Sequence, residues 1–375
     1  MPSGKPYILF CAGEDSGDCI GESLVKAIAS RYLVKGSGGR RMQAAGMLPL
    51  VNFETLPVSG FGDVLPKYLK LRQSFNTLKM ALESPECLGL VAIDYPGFNM
   101  KLVARAGELH KPTLYVAPPQ VWAWKKKRAA ELAQNPYVKL AVFFDFEESV
   151  YRDAGCNVER VTHPFAEIKN EELIIKNQFH ISHPTSHILL LPGSRKSQAL
   201  RNLPIYLKSV QNHQNVVARN IVVIAARQEL VSAFEKFGVQ VVVAPQNVED
   251  RMALYQSADY AVTAPGTATL ELALSGVPFT VCTRPDLLTY TLGRLFIKTK
   301  FFALPNIVLN RLVFPEHIVA PLTRRNACID MAEANQSRTR CNDVSVELRE
   351  KLAVEKTLNQ LAFEFLGQFV ECKSQ

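Results

Sequence analysis

Short runs of consecutive apolar residues recur along the chain, each followed by a segment with helical spacing of apolar positions. Because these runs do not alternate with polar residues, they are typical of parallel strands covered by helices on both faces. Four runs lie in the first half and five in the second: residues 7–11, 89–93, 113–116 and 140–144, then 187–191, 221–225, 239–243, 260–263 and 279–282. The pattern predicts an α/β protein with two doubly wound, Rossmann-like domains.

A charged and then polar stretch, residues 167–186, separates the two series of strands. We predict a first domain over 1–166, a linker over 167–186, a second domain over 187–340 and C-terminal helices over 341–375. Leu358, Leu361 and Phe365 recur at helical spacing, which favours packing of the last helix back on the first domain. Two such domains are expected to bind ligands in a cleft between them, at the carboxyl ends of the strands.

Two segments combine exposed apolar side chains with cations. Residues 64–82 predict a long helix whose core stripe contains Val64, Tyr68, Leu71, Phe75, Leu78 and Leu82. Off that stripe, leucines lie among lysines and an arginine, and the chain's two tryptophans adjoin a basic run at 125–128. Such mixtures suit a membrane surface, although ordinary surface leucines and a core tryptophan remain an alternative. The predicted membrane or acyl contacts are Leu65, Leu69, Trp122, Trp124, Lys125 and Lys126.

Composition narrows the classes of partner. The 375 residues carry a formal net charge of +8, which favours nucleic acid, phospholipid or phosphorylated substrates. The charge is spread and no helix-turn-helix or RNP pattern occurs, so nucleic acid is not predicted. No apolar run approaches the roughly 18 residues that span a bilayer, and no signal-peptide pattern is present, so membrane contact is expected to be peripheral. The eight cysteines lack zinc spacing and are expected to be reduced thiols of a cytosolic protein.

Two loops after strands of the first half carry candidate chemistry. Residues 12–18, AGEDSGD, allow close backbone approach to a ligand, with Ser16 or Asp18 capping a helix that begins at about Cys19. Asp94 directly follows a buried strand, where its carboxylate could accept a proton from an attacking hydroxyl. Helix capping is an equally good interpretation of Asp94 from the residues alone.

Two loops of the second half suit a diphosphate. Ser194 and Arg195 follow a strand, and arginine offers fixed planar donors to phosphate oxygens. Gly266, Thr267 and Ala268 open a helix whose first amides form a natural phosphate seat. Glu271, one turn further, could accept hydrogen bonds from a ribose, or could simply be a favourable charge near a helix N-terminus.

Nine motifs occur in one order from about residue 7 to about residue 320. They are AGEDSGD at 12–18, GGRRMQAAG at 38–46, VSGFGDVL at 58–65, IDYPGFN at 93–99, VAPPQVWAW at 116–124, THPFAE at 162–167, LPGSR at 191–195, PGTATLE at 265–271 and ALPNIVLNR at 303–311. Together they resemble the lipid-A-disaccharide synthase family.

The resemblance implies an inverting, metal-independent glycosyltransferase of the GT-B fold, peripheral on the inner face of the cytoplasmic membrane. Its substrates would be UDP-2,3-diacylglucosamine and 2,3-diacylglucosamine 1-phosphate (lipid X), and its products the β-1,6-linked lipid A disaccharide 1-phosphate and UDP. The first domain would bind the acceptor and face the membrane, and the second would bind the UDP-sugar. Asp94 would be the general base and Arg195 the essential arginine near the diphosphate. Nucleotide-sugar binding is assigned to Gly13, Glu14, Ser16, Ser194, Arg195, Gly266, Thr267, Ala268, Glu271 and Asn306.

Two positions depart from the family pattern. Gly97 stands where the family often has a second aspartate, and Gln198 where it often has a glutamate. No D-x-D pair follows a strand, so no metal or other cofactor is predicted. A peptidoglycan N-acetylglucosaminyltransferase, a UDP-sugar epimerase and a non-enzymatic lipid-binding module remain alternatives, and a homodimer remains open.

Overall fold

The computed structural model describes residues 5–56, 64–121, 127–168, 187–211, 220–287, 289–291, 300–321 and 337–371. The chain forms two compact units, one of Met1–Pro164 with Leu352–Gln375 and the other of Phe165–Lys351. The chain thus passes into the second unit two residues before the predicted end of the first domain. The predicted C-terminal segment 341–375 is divided between the units.

The first unit contains a seven-stranded parallel sheet in the order β3-β2-β1-β4-β5-β6-β7. The strands are β1 (Tyr7–Ala12), β2 (Leu33–Ser37), β3 (Leu48–Pro49), β4 (Cys87–Ile93), β5 (Thr113–Val116), β6 (Val138–Val142) and β7 (Val158–Arg160). The four predicted strands of this half are all present. The sequence missed β2, β3 and β7 because they are short or carry charged residues such as Lys35 and Glu159, so that they form no long apolar run.

Helices pack against the apolar side chains of this sheet. They are α1 (Asp15–Ile28), α2 (Arg40–Ala44), α3 (Val64–Glu83), α4 (Pro96–Glu108), α5 (Lys127–Ala133) and α6 (Asp145–Asp153). On α3, Leu78 and Leu82 are fully buried, and Leu71 and Phe75 pack partly buried against the same core. These four residues face the core as predicted, while the side chains of Val64 and Tyr68 lie outside the described part of the chain.

The second unit contains a six-stranded parallel sheet in the order β10-β9-β8-β11-β12-β13. Its strands are β8 (His187–Leu191), β9 (Asn220–Ala225), β10 (Gln240–Val243), β11 (Tyr260–Thr263), β12 (Phe279–Thr283) and β13 (Glu316–Ile318). Its helices are α7 (Lys196–Gln211), α8 (Val231–Glu235), α9 (Val248–Gln256), α10 (Thr267–Leu274), α11 (Leu304–Leu309) and α12 (Arg338–Leu352). The five predicted strands are present, and the short polar strand β13 was missed.

The last helix, α13 (Leu358–Glu371), belongs to the first unit and packs against α1, as the sequence predicts. Leu358, Leu361 and Phe365 are 3%, 0% and 6% exposed, so the helical stripe seen in the sequence is the buried face. Burying side chains of this size contributes roughly 1.5–3 kcal/mol each. The chain returning to α13 is tied to the end of the first sheet by Thr162, whose hydroxyl donates to the Val354 carbonyl at 2.8 Å.

Candidate active site

Each sheet reverses its strand order at one point, and the predicted catalytic and nucleotide-binding residues other than Asn306 follow the strands at that point. In the first unit the reversal lies between β1 and β4, which are followed by Gly13 and Asp94. In the second unit it lies between β8 and β11, which are followed by Ser194 and Gly266. Such switch points are where open α/β sheets bind ligands. Residues distant in sequence are therefore brought together within each unit.

The turn after β4 holds Asp94 in a strained conformation. Asp94 and Tyr95 have φ angles of 48° and 50°, in the left-handed region that costs about 1–3 kcal/mol for an ordinary residue. The Asp94 amide donates to the Val116 carbonyl at 2.9 Å. Its own carbonyl accepts from Asn99 Nδ2 at 2.8 Å and from the Tyr115 hydroxyl at 3.1 Å. Strain that is held by several bonds in this way is typical of functional sites.

Asn99 joins the two strand ends that flank the switch point. Its side chain is fully buried, and Nδ2 lies 3.1 Å from the Cys11 carbonyl and 3.2 Å from the Ile93 carbonyl. Burial raises the pKa of Tyr115, with a further contribution from Asp94, so its hydroxyl remains a protonated donor to the turn. Sequence reasoning missed the role of both residues. Asn99 ends the IDYPGFN motif and Tyr115 lies in a buried strand, but the sequence does not show that their side chains hold the Asp94 turn.

Gly13 is explained by packing inside the protein. A Cβ at this position would lie 2.2–2.6 Å from ring atoms of Tyr95, which leaves no room for a larger residue. The Tyr95 hydroxyl donates to the Leu56 carbonyl at 2.6 Å, so the ring is fixed against Gly13. The glycine therefore brings the loop after β1 into contact with the turn that contains Asp94. The predicted ligand contacts of Gly13, Glu14 and Ser16 remain predictions.

The predicted cap of α1 was wrong. The helix begins at Asp15 rather than near Cys19, so Ser16 and Asp18 lie inside its first turn. The N-cap residue is Glu14, and its side chain makes no capping hydrogen bond. Asp18 instead accepts from the Arg41 and Met42 amides, each at 3.2 Å, at the start of α2. Burial raises the pKa of Asp18, partly offset by these bonds, and its role is to join the two helices.

The loop after β8 presents its polar residues to solvent on a fixed backbone. Gly193 has a φ of 118°, and a Cβ there would lie 3.0 Å from Gln198 Oε1. The buried Asn202 donates to the Pro192 carbonyl at 2.9 Å and accepts from the Arg284 amide at 2.8 Å. Ser194 and Arg195 are exposed just ahead of α7. They are therefore placed where an anion could reach them.

Gly266 is the N-cap residue of α10 and has a φ of 149°, which favours glycine. The Thr269 hydroxyl donates to the Gly266 carbonyl at 2.7 Å and accepts from the Leu304 amide at 3.2 Å. This side chain joins the first turns of α10 and α11. The amides of Thr267 and Ala268 occupy the helix positions that lack intrahelical acceptors, which suits an anionic ligand.

Glu271 has a partner that the sequence did not reveal. Arg251 Nε lies 2.6 Å from Glu271 Oε2, and Arg251 Nη2 lies 2.8 Å from Oε1. Glu271 and Arg251 are only 5% and 6% exposed, and Arg251 Nη1 also donates to the Pro245 carbonyl at 3.0 Å. The pair holds α9 against α10, and the bond to Pro245 ties the loop before α9 to the same arginine. The ribose contact of Glu271 remains a prediction. The structure adds that Arg251 holds the Glu271 carboxylate in place.

Asn306 is fully buried, and its amide makes four hydrogen bonds within the protein. Oδ1 accepts from the Val313 and Phe314 amides, both at 2.9 Å. Nδ2 donates to the Phe314 carbonyl at 2.7 Å and to Glu316 Oε1 at 2.8 Å. These bonds use the full capacity of an amide side chain. The predicted direct contact with a nucleotide would require Asn306 to give up one of them, so the residue shapes the loop beside α10.

Of the predicted membrane contacts, only Leu69 has a described side chain. It is 60% exposed, and its neighbour Lys70 is also exposed. The side chain of Leu65 lies outside the described residues, as do Trp122, Trp124, Lys125 and Lys126. Among the helices that the structure describes, none is long and apolar enough to cross a membrane.

Two doubly wound, Rossmann-like units are the architecture of the GT-B class of glycosyltransferases. A UDP-forming trehalose-phosphate synthase from Burkholderia xenovorans has this fold, with 10% identity, a TM-score of 0.53 and coverage of 99% of this chain and 100% of that chain. A kitacinnamycin glycotransferase is similar, with 15% identity, a TM-score of 0.52 and coverage of 98% and 100%. At these identities the likeness concerns the fold alone.

The family model described as lipid-A-disaccharide synthetase matches residues 8–367. A lipid-A-disaccharide synthase of Sulfurihydrogenibium sp. (strain YO3AOP1) is 30% identical over 94% of this chain and 96% of its own length. One of Coxiella burnetii (strain Dugway 5J108-111) is 31% identical over 85% of each chain. The chain belongs to the lipid-A-disaccharide synthase family and is a glycosyltransferase of lipid A disaccharide synthesis.

Proposed function

We propose that the chain condenses UDP-2,3-diacylglucosamine with 2,3-diacylglucosamine 1-phosphate, giving the β-1,6-linked lipid A disaccharide 1-phosphate and UDP. Family membership supports the reaction. The observation that carries the proposal is the strained Asp94 turn at the switch point of the first sheet, held by Asn99 and Tyr115. The hydrogen bonds hold the backbone of the turn, and a carboxylate carried by a fixed backbone at this position is a suitable general base.

In the proposed reaction Asp94 accepts the proton of the acceptor 6-hydroxyl. The hydroxyl oxygen forms a bond to the anomeric carbon of the donor as the bond to the UDP oxygen breaks, with inversion. The UDP leaves with the electron pair and the added negative charge. Arg195 and the amides of Thr267 and Ala268 stabilise that charge, because fixed donors are most effective where charge develops.

We also propose that this charge stabilisation replaces a metal ion. Arg195 is exposed after β8, and the N-terminus of α10 is at the neighbouring strand β11, so both can serve one diphosphate. Glu271 is the proposed ribose contact, with its carboxylate oriented by Arg251. The cytoplasmic, peripheral location is part of the same proposal, since both lipid substrates carry acyl chains.

Mass spectrometry of the product tests the reaction and its metal independence together. Purified protein given the two lipid substrates is expected to form UDP and the disaccharide phosphate at equal rates with and without excess EDTA. Loss of product on chelation, restored by Mg²⁺ or Mn²⁺, would contradict metal independence alone. An epimerised donor, or no disaccharide under either condition, would contradict the proposed reaction.

We further propose that α3 docks on an anionic membrane through Leu69 and its basic neighbours. Insertion of an exposed leucine is combined with charge attraction of about 1 kcal/mol per basic residue. Leu69→Ser is expected to lower co-sedimentation with anionic vesicles while UDP binding stays normal, and wild type is expected to dissociate partly at high salt. Leu312→Ser is the matched control, because Leu312 is 61% exposed, like Leu69 at 60%, but lies in the second unit. If both variants co-sediment with the vesicles as strongly as wild type does, this docking surface is excluded.

A further inference from the structure

A pocket of about 320 Å³ opens in the first unit beside the turn that contains Asp94. Tyr95 and Gly97, which follow Asp94 closely in the chain, line it together with residues of α3 and α4. The volume is at the lower end of the range for small-molecule sites. The motifs recognised in the sequence contain the lining residues at 14, 95, 97 and 98. They do not contain the lining residues on α3, at 71, 72 and 75.

The wall of the pocket is apolar and firmly packed. Phe75 of α3 meets Phe98 of α4 edge to face, with ring centroids 5.3 Å apart. Tyr95 stacks on Phe98 at 5.4 Å, and its hydroxyl is fixed to the Leu56 carbonyl. Leu71 completes this surface. Because these aromatic rings hold one another in place, the wall is preformed for an apolar chain.

Two cations from different helices also line the pocket. Arg72 lies on α3 and Lys101 on α4, and both side chains are exposed. Among the residues that the structure describes, neither has an ion-pair partner within 4.0 Å. One acidic residue, Glu14, lies in the same lining, so the charge of the lining is positive. An apolar wall bordered by two cations is complementary to an amphiphile with an anionic head group.

We propose that this pocket binds the acceptor as a phosphorylated amphiphile, with an acyl chain on the aromatic wall and the phosphomonoester between Arg72 and Lys101. The inference rests on the proposed function for the identity of the acceptor. The diphosphate of the donor is assigned to the loops of the second unit, which leaves the acceptor phosphate for this pair of cations. Arg72 and Lys101 then determine specificity for a phosphorylated acceptor over its neutral analogue.

Direct binding of octyl phosphate tests the pocket without any need for catalysis. Calorimetry is expected to show that Arg72→Ala/Lys101→Ala weakens octyl phosphate binding by roughly 10–100-fold, as for the loss of two charge-assisted contacts. Binding of neutral octyl glucoside should change less than 3-fold, since no charge is involved. The control is Lys26→Ala/Lys79→Ala, which removes two charges from the same unit but none from the pocket lining.

A second variant fills the pocket rather than changing its charge. A Cβ at Gly97 would meet no atom within 4 Å, so the side chain of Gly97→Leu begins in open space at the pocket lining. Both octyl phosphate and octyl glucoside should then bind at least roughly 10-fold more weakly, with an unchanged melting temperature. In the full reaction, both pocket variants should raise the KM for the acceptor and leave the KM for the UDP-sugar within 2-fold, an order-of-magnitude expectation.

The outcomes separate this inference from the proposed function. If octyl phosphate binds the pocket variants and the lysine control with equal affinity, the pocket inference is wrong, whether or not wild type forms the disaccharide. If wild type forms no disaccharide but its octyl phosphate binding depends on Arg72, Lys101 and Gly97, the reaction is wrong and the phosphoamphiphile pocket stands.

Discussion

Asp94→Asn is expected to lower the rate of sugar transfer by roughly 10²–10⁴-fold, the usual effect of losing a general base. The amide keeps the shape of the carboxylate but cannot accept the proton of the acceptor hydroxyl. Asparagine also tolerates the left-handed backbone that Asp94 adopts at a φ of 48°, so the turn should not change. UDP binding should be nearly unaffected, because Asp94 is not among the residues assigned to nucleotide-sugar binding. Single-turnover rates and UDP titration measure the two effects separately.

Asp145→Asn provides the matched control for that substitution. Asp145 begins α6 shortly after β6 of the same sheet, but β6 does not flank the switch point. Loss of the Asp145 carboxylate should leave the rate of sugar transfer within a few-fold of wild type. If Asp94→Asn also keeps a rate within a few-fold of wild type, Asp94 is not the base. If both variants lose the rate to the same extent, the cause is a general effect on the sheet.

The sequence predicted the positions of the candidate site because topology fixes them. Once the apolar runs are parallel strands, the residues after β1, β4, β8 and β11 must lie at the same edge of their sheets. Asp94 and Arg195 could therefore be placed from sequence at the ends of buried strands. The start of α1 was misplaced because the glycines in 12–18 suggested a loop, although Asp15 and Asp18 also suit the first turn of a helix.

What the sequence could not show is how each buried polar group is satisfied. Asn306 and Glu271 both occur in motifs that suggest ligand contact, and an amide or carboxylate serves a ligand or a backbone equally well. Only the packing shows that Asn306 is saturated by the 313–316 segment and that Glu271 meets Arg251. Arg251 lies 20 residues before Glu271, and its approach depends on how α9 packs beside α10. No local pattern encodes that contact.

Arg251→Met is expected to lower the free energy of unfolding of the second unit by about 3–5 kcal/mol, because it leaves the Glu271 carboxylate buried without its partner. The Pro245 carbonyl loses its hydrogen bond in the same change. Calorimetry and urea denaturation measure the loss. The control is Arg311→Met, which breaks the exposed pair with Glu347 and should cost less than about 1 kcal/mol. A similarly small effect for Arg251→Met would contradict a structural role for the buried pair.

The double variant Arg251→Met/Glu271→Met then separates the two roles of Glu271. Replacing both members of a buried ion pair by apolar residues is often neutral or stabilising, so most of the lost stability should return, apart from the cost of the unpaired Pro245 carbonyl. If Glu271 binds the ribose and Arg251 orients it, the restored protein should still bind UDP at least roughly 10-fold more weakly, since hydrogen bonds to a charged group are worth about 1.5–3 kcal/mol. Recovery of both stability and UDP affinity would show instead that the pair only holds α9 against α10, and the ribose contact would have to come from another residue.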